Sequence, residues 1–409
     1  MKADYHSLRT SAGYRLGLAR LPDSECAAVS IHVPAGGRHD PPGRSGLAHF
    51  VEHMIFKGTA RRDARRISVE TEDAGATLNA YTSDDQIVYE ARGDASTLPL
   101  LADVLCDMVW QSTFPAHEVE LERDVIREEI VMYHENPSEH IGDLISAALW
   151  SPHPLGQPIS GTIETVGGIT REDLAGFARR HHHDRQLVIA VAGPFTEQQV
   201  LDQFADRLPQ PSAVDPGPAY VAPAGLRAPV IEARDTLQVQ LALAFATFGR
   251  HDPRRHALRL LAMILGEGAS SRLFLKLREE RGLCYHISCD TELLADTGCL
   301  EIHAGLDPGG RDEALACIRA ELTDLAERGP DEAELARAKR LTASSFRAAM
   351  EGTASHAGWA GECLAQHDRM ILPAEALERT EAVTRHDVRE VAREIFQPAH
   401  EAFAEIRPA

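Results

Sequence analysis

Residues 27–41 read AAVSIHVPAGGRHDP, and residues 239–253 read VQLALAFATFGRHDP. Each is a strand-like apolar run that closes on an identical Gly-Arg-His-Asp-Pro, and the second copy begins 212 residues after the first. Self-similarity at a fixed offset signals duplication, so one repeated unit sets the fold of both halves. Helical patterns follow both copies, SGLAHFVEHMIFKG from Ser45 and ALRLLAMILGEG from Ala257. A second pair matches at an offset of 214, ITREDLAGFARR from Ile169 and VTRHDVREVARE from Val383. Near the midpoint, residues 208–229 read LPQPSAVDPGPAYVAPAGLRAP and hold six of the chain's 23 prolines. Proline fixes φ and removes a donor, so this stretch reads as an extended connector. The expectation is an α+β protein of two homologous domains, 1–207 and 230–409, joined by the linker 208–229. Each domain should be a mainly antiparallel sheet packed with helices.

Composition sets the outer limits. The chain has 409 residues and a formal charge of −20, with 44% hydrophobic and 25% charged residues. That is an ordinary globular composition, which argues against disorder, collagen or a disulfide-built scaffold. The acidic balance counts against a nucleic-acid partner, because counterion release needs a basic face. Arg61, Arg62, Arg65 and Arg66 form the one dense basic run, read as a solvated helix face. No stretch of about 18 apolar residues exists to span a membrane. The N-terminus lacks an apolar core and a small-residue cleavage site, so a cytoplasmic location is expected. Seven scattered cysteines with no Cys-x-x-Cys pair read as reduced structural thiols rather than zinc ligands.

The two halves differ where chemistry could reside. At the repeat offset His49, Glu52 and His53 fall on Leu261, Ile264 and Leu265, while Glu122 and Glu129 fall on Ala336 and Ala343. Ionisable groups in one copy thus replace apolar or small residues in the other. Burying them is costly unless they are paired or metal-bound. His49 and His53, at i and i+4, project from one helix face about 5 to 6 Å apart, near enough to share a cation. Glu52 lies on the same face. Neutral imidazole suits zinc, and a catalytic zinc keeps three protein ligands and one open position. The acidic segment RDVIREEIVMYHEN offers the third. Glu122 and Glu129 are seven residues apart and share one side of its helix, whereas Glu128 points elsewhere. With Glu129 as ligand, Glu52 is placed as general base for a water, and Glu122 orients a ligand by hydrogen bonding. The chemistry is metal-assisted amide hydrolysis. The run His181-His182-His183 closes a helix with side chains facing different ways, and reads as a solvated helix end.

At these residues the sequence resembles the pitrilysin family, the inverzincins, whose His-x-x-Glu-His inverts the commoner zinc-protease order. The likeness is to the half-length branch with the mitochondrial processing peptidases and their bacterial relatives. It is carried by GLAHFVEHMIFKGT, IREEIVMYHENPSE, GATLNAYTSDDQIVYE and SSRLFLKLREERGLCY. The resemblance implies that the third ligand follows the second histidine by 76 residues, which selects Glu129 over Glu128, and that Glu122 is the auxiliary glutamate. Residues 75–90 alternate like a strand, whose edge could bind an extended peptide through its main chain. The resemblance assigns that role to Asn79 and Ala80. It also implies that Arg278 and Tyr285 reach the substrate carbonyl, with Arg281 the nearest competitor to Arg278. A fixed cation and a phenol donor suit a tetrahedral oxyanion.

Family heterodimers tend to divide these sets between an active chain and a silent partner. One chain here carries both. The resemblance therefore implies a self-sufficient zinc endopeptidase with one zinc per chain, a homodimer whose chamber admits short or unfolded peptides. A heterodimer with a silent homologue is the alternative assembly, and a non-catalytic scaffold subunit the alternative function.

Overall fold

The structure is a computed structural model and describes residues 3–212 and 228–409. Residues 213–227 of the expected linker lie outside the described part. Among the described residues eleven strands form two sheets. The first half supplies β1 (Asp4–Arg9), β2 (Arg15–Arg20), β3 (Cys26–Val33), β4 (Thr77–Thr82), β5 (Ile87–Asp94) and β6 (Val188–Gly193), in the order β1-β2-β6-β3-β5-β4. The second supplies β7 (Val230–Arg234), β8 (Val239–Phe248), β9 (Cys284–Leu293), β10 (Thr297–Leu306) and β11 (Glu401–Pro408), in the order β7-β11-β8-β10-β9. At the repeat offset β2, β6, β3, β5 and β4 correspond to β7, β11, β8, β10 and β9, so the sheets share one strand order. Pairing agrees as well. β2 with β6 and β7 with β11 are parallel, and every other neighbouring pair is antiparallel. Among the described residues only β1 has no counterpart.

The central strands are buried on both faces, which is why they read as nearly continuous apolar runs. Bulk nevertheless alternates. On β3 Val29, Ile31 and Val33 join the large core, while Ala28, Ser30 and His32 take the other face; on β8 Leu241, Leu243 and Phe245 alternate with Ala242 and Ala244 in the same way. In the first unit the bulky face is covered by helices Leu47–Ile55, Leu98–Gln111, Arg171–His181 and Glu197–Phe204. In the second it is covered by Arg255–Leu265, Arg311–Arg328 and Arg385–Ile395.

The small-residue faces explain the one departure from continuous domains. Helix Pro137–Trp150 packs on β8 and β11, whereas Thr353–His367 packs on β2, β3 and β6. These two helices correspond at the repeat offset, so the halves exchange equivalent elements. The compact units therefore differ from the expected 1–207 and 230–409. Their boundaries fall inside the long helices, between Ile130 and Val131 of Ala116–Glu135 and between Phe346 and Arg347 of Glu332–Ala349. A 20-residue helix is about 30 Å long and carries the chain away from its own sheet. Close approach is enforced by size: a Cβ on Gly361 would lie 2.0 Å from His32 Nε2.

Two other sequence readings change. Arg62 is buried, not solvated, because it precedes helix Ala64–Asp73 and turns inward. Its guanidinium meets Glu70 Oε1 at 2.8 Å, Asp103 Oδ2 at 2.6 Å and Asp107 Oδ2 at 2.9 Å, and Arg61 Nε adds a bond to Asp107 Oδ1 at 3.0 Å. Arg65 and Arg66 are exposed as expected. His182 is fully buried. Its Nδ1 lies 3.1 Å from Val109 O and its carbonyl accepts Trp110 Nε1 at 2.6 Å, so the fold uses it to close the core. All seven cysteines are free thiols. Among the described residues no helix is long and apolar enough to cross a membrane.

Candidate metal centre

Helix Leu47–Ile55 buries Leu47, Ala48, Phe50, Val51, Met54 and Ile55 against the first sheet. The same 3.6-residue period leaves His49, Glu52 and His53 half-buried on the remaining face. The N-cap residue before this helix, Gly46, has φ +93°, and a Cβ there would lie 2.7 Å from Ser160 O, so only glycine suits the position. Gly46 has no side chain to cap the helix, and Asp40 of the repeated Gly-Arg-His-Asp-Pro does so instead. Asp40 Oδ2 accepts from the N–H groups of Gly46 (2.8 Å) and Leu47 (3.1 Å), and Oδ1 from Ala48 (2.9 Å). Nothing in the motif's own spacing signals this anchor.

Helix Ala116–Glu135 brings Glu122 and Glu129 to the same place, while Glu128 is exposed. His49 Nε2 and His53 Nε2 are 3.2 Å apart, and Glu129 Oε2 lies 3.8 Å from the first and 3.6 Å from the second. Tetrahedral ligands about 2.0–2.1 Å from a zinc ion are separated by about 3.3–3.4 Å. The three atoms therefore form a triangle of the size a zinc ion requires. Among the described residues they are the one group of three or more such side chains that could hold a metal. Glu122 is almost fully buried, and its Oε1 accepts from His53 Nδ1 at 2.9 Å. That bond leaves Nε2 of a neutral ring with its lone pair toward the triangle.

The protonation tendencies follow from this packing. Burial first, then the neighbouring His53, pushes His49 down to about 3, so its imidazole is neutral. Burial also works against charge on His53, but the Glu122 bond and the nearby Glu52 and Glu129 outweigh it and raise its value. Burial raises Glu52, opposed by a hydrogen bond from Thr82 Oγ1 at 2.7 Å and by His53. Burial raises Glu129 too. Of the three carboxyls at this site Glu122 alone is held low: burial opposes its charge, yet the bonds from His53 and Lys57 prevail.

β4 is the edge strand of the first sheet, so its outer main-chain groups are unpaired within the sheet. Asn79 is exposed and Ala80 half-buried on it, and Thr82 at its end touches Glu52. The alternation of the strand gives no sign of this bond from Thr82 to Glu52. Arg278 and Tyr285 belong to the second unit. Arg278 lies on the π-helical turn Phe274–Glu279, a form frequent at functional sites. Its guanidinium stacks over Phe274 at 4.8 Å and Tyr285 at 4.9 Å, and Tyr285 is 77% exposed. Arg281 instead bonds Lys276 O at 2.9 Å. The second-unit counterparts Leu261, Ile264 and Leu265 are buried in an apolar core.

The chain is similar to known proteins along most of its length. Residues 17–163 match the family described as Insulinase (Peptidase family M16), and residues 168–342 match the Peptidase M16 inactive domain. The chain is 33% identical over 392 residues to a protein of Streptomyces coelicolor named an uncharacterized zinc protease, covering 94% of this chain and 85% of the relative. It is 30% identical over 400 residues to one of Bacillus subtilis bearing the same description, covering 97% of each. Among solved structures, a peptidase M16 inactive domain from Pseudomonas fluorescens superimposes with TM-score 0.91 at 20% identity, covering 99% of this chain and 98% of the other. A protease from Helicobacter pylori gives 0.90 at 21%, covering 100% of each. Identity this low speaks for the fold alone. With both halves matched and relatives above 30% identical along nearly its whole length, the chain belongs to peptidase family M16, the insulinase family.

Proposed function

We propose that this protein is a zinc-dependent endopeptidase acting on short or unfolded peptides, working as a homodimer whose chamber excludes folded chains. The observation that carries the reading is the triangle of His49 Nε2, His53 Nε2 and Glu129 Oε2. A zinc ion held there supplies Lewis acidity, polarising a carbonyl and making a water acidic near neutral pH. Glu52 takes the water's proton and returns it to the departing amine, and burial, which raises its pKa, strengthens its hold on that proton. Thr82 steers Glu52 by donating to Oε2, which leaves Oε1 for the proton. An extended substrate adds to the edge of β4 at Asn79 and Ala80, using main-chain hydrogen bonds that only an unfolded segment can offer. Arg278 and Tyr285 donate to the oxyanion, a role favoured by a guanidinium stacked on rings and a phenol open to solvent.

Digestion of an unstructured peptide mixture, followed by mass spectrometry, tests the reading. Cleavage should stop on chelation and return on adding zinc. Cleavage that persists after zinc removal contradicts it.

A further inference from the structure

The sequence after the metal-site helix, Lys57 to Asp63, is a strap whose residues play no part in the chemistry above. It is pinned with unusual thoroughness. Gly58 bridges to Asp63 and Thr59 to Ser112, while Thr59 Oγ1 donates to Asp107 Oδ2 at 2.7 Å. Asp107 is 2% exposed and also takes Arg61 and Arg62, so the basic run noted in the sequence serves to anchor this strap. The strap carries one further cation, Lys57. Its Nζ lies 2.5 Å from Glu122 Oε2, the oxygen that His53 does not use.

We propose that Lys57 is a positioning residue of the metal site, holding Glu122 so that its other oxygen fixes the ring of His53. The inference rests on the zinc site proposed above. A carboxylate 5% exposed needs both oxygens satisfied, and a single bond to His53 would leave it free to rotate about its terminal torsion. Lys57 removes that freedom. Charge points the same way. Glu52, Glu122 and Glu129 converge on this small volume with Lys57 as the ammonium among them. Three carboxylates against one ammonium leave two negative charges, which a divalent cation cancels. Without Lys57 the loaded site would keep an uncompensated buried carboxylate, a costly state.

The test is the zinc dissociation constant of the full-length protein, measured by competition with a chromophoric chelator. Replacing an outer partner of a metal ligand typically costs about 10- to 100-fold in affinity. Lys57→Met, and Lys57→Gln as a second neutral variant, should weaken zinc binding by about that factor. Lys57→Arg, which keeps a cation and donors, should recover most of it. Glu122→Gln should weaken binding on its own, and Lys57→Met added to it should cost nothing more, because Lys57 acts only through Glu122. Equal thermal midpoints of the metal-free proteins would tie the loss to the site. A wild-type protein that takes up no zinc overturns both the site and this inference. A zinc-loading wild type with unchanged affinity in Lys57→Met and Lys57→Gln, or a double variant whose loss is the product of the two singles, overturns the role of Lys57 alone.

Discussion

Glu52 and Asp40 show two ways a carboxylate serves the same helix. Glu52 is proposed to move protons, so Glu52→Gln should keep stoichiometric zinc while peptide hydrolysis falls by about 10²- to 10⁴-fold. Parallel metal analysis and a peptide assay check this, and undiminished turnover would remove Glu52 from the mechanism. Asp40 works structurally, closing three N–H groups at the start of the helix. Asp40→Ala should cost about 0.5–2 kcal/mol of stability, read from denaturant unfolding of the metal-free protein. An unchanged midpoint would mean the cap is dispensable. The sequence made the two roles unequally legible. His49, Glu52 and His53 are neighbours in the chain, so helix geometry alone aligns them. Repeat contrast and helix spacing nominate Glu129, and the family resemblance selects it over Glu128, because spacing alone is silent about which distant helix returns to the site. Asp40, Lys57 and Arg62 act through partners that no local pattern names, and were missed or misread for that reason.

Elements pose the same problem at larger size. Strand order was implicit in the repeat, since matching segments in one chain adopt matching positions. The exchange of helices Pro137–Trp150 and Thr353–His367 was not, because an apolar helix face does not say which sheet it will cover. What marks the receiving face is residue size, seen in Ala28, Ala192 and Ala357 around the close contact of Gly361 with His32. Gly361→Val should overpack that contact and cost about 1–3 kcal/mol, seen as a lowered thermal midpoint. An unshifted midpoint would mean that the helix does not seat as described. Buried histidines give the element scale its pH dependence. Burial lowers His182, and likewise His32, from 6.5 to about 4. Between these values the unfolded chain binds protons that the native state refuses, so stability should fall as pH drops from 6.5 toward 4. His182→Asn should flatten that part of the stability profile relative to the wild type. A profile of equal slope would show that His182 titrates normally in the folded protein.

At the scale of the whole molecule, the chain holds two like units, and the candidate ligands His49, His53 and Glu129 stand in one of them. The proposed homodimer should appear in size-exclusion chromatography with light scattering as a particle of about twice 44.7 kDa. An active monomer would contradict the assembly while leaving the metal site standing. Part of the −20 charge lies in Glu52, Glu122 and Glu129, which converge on the candidate site. The proposed chemistry therefore depends on a metal in the triangle of His49, His53 and Glu129. Its most direct test is the zinc content of the purified protein by elemental analysis, alongside His49→Ala, His53→Ala and Glu129→Ala. One zinc per wild-type chain, lost in all three folded variants, is the predicted result. A folded wild-type chain without zinc, or variants that retain it in full, would contradict the central claim.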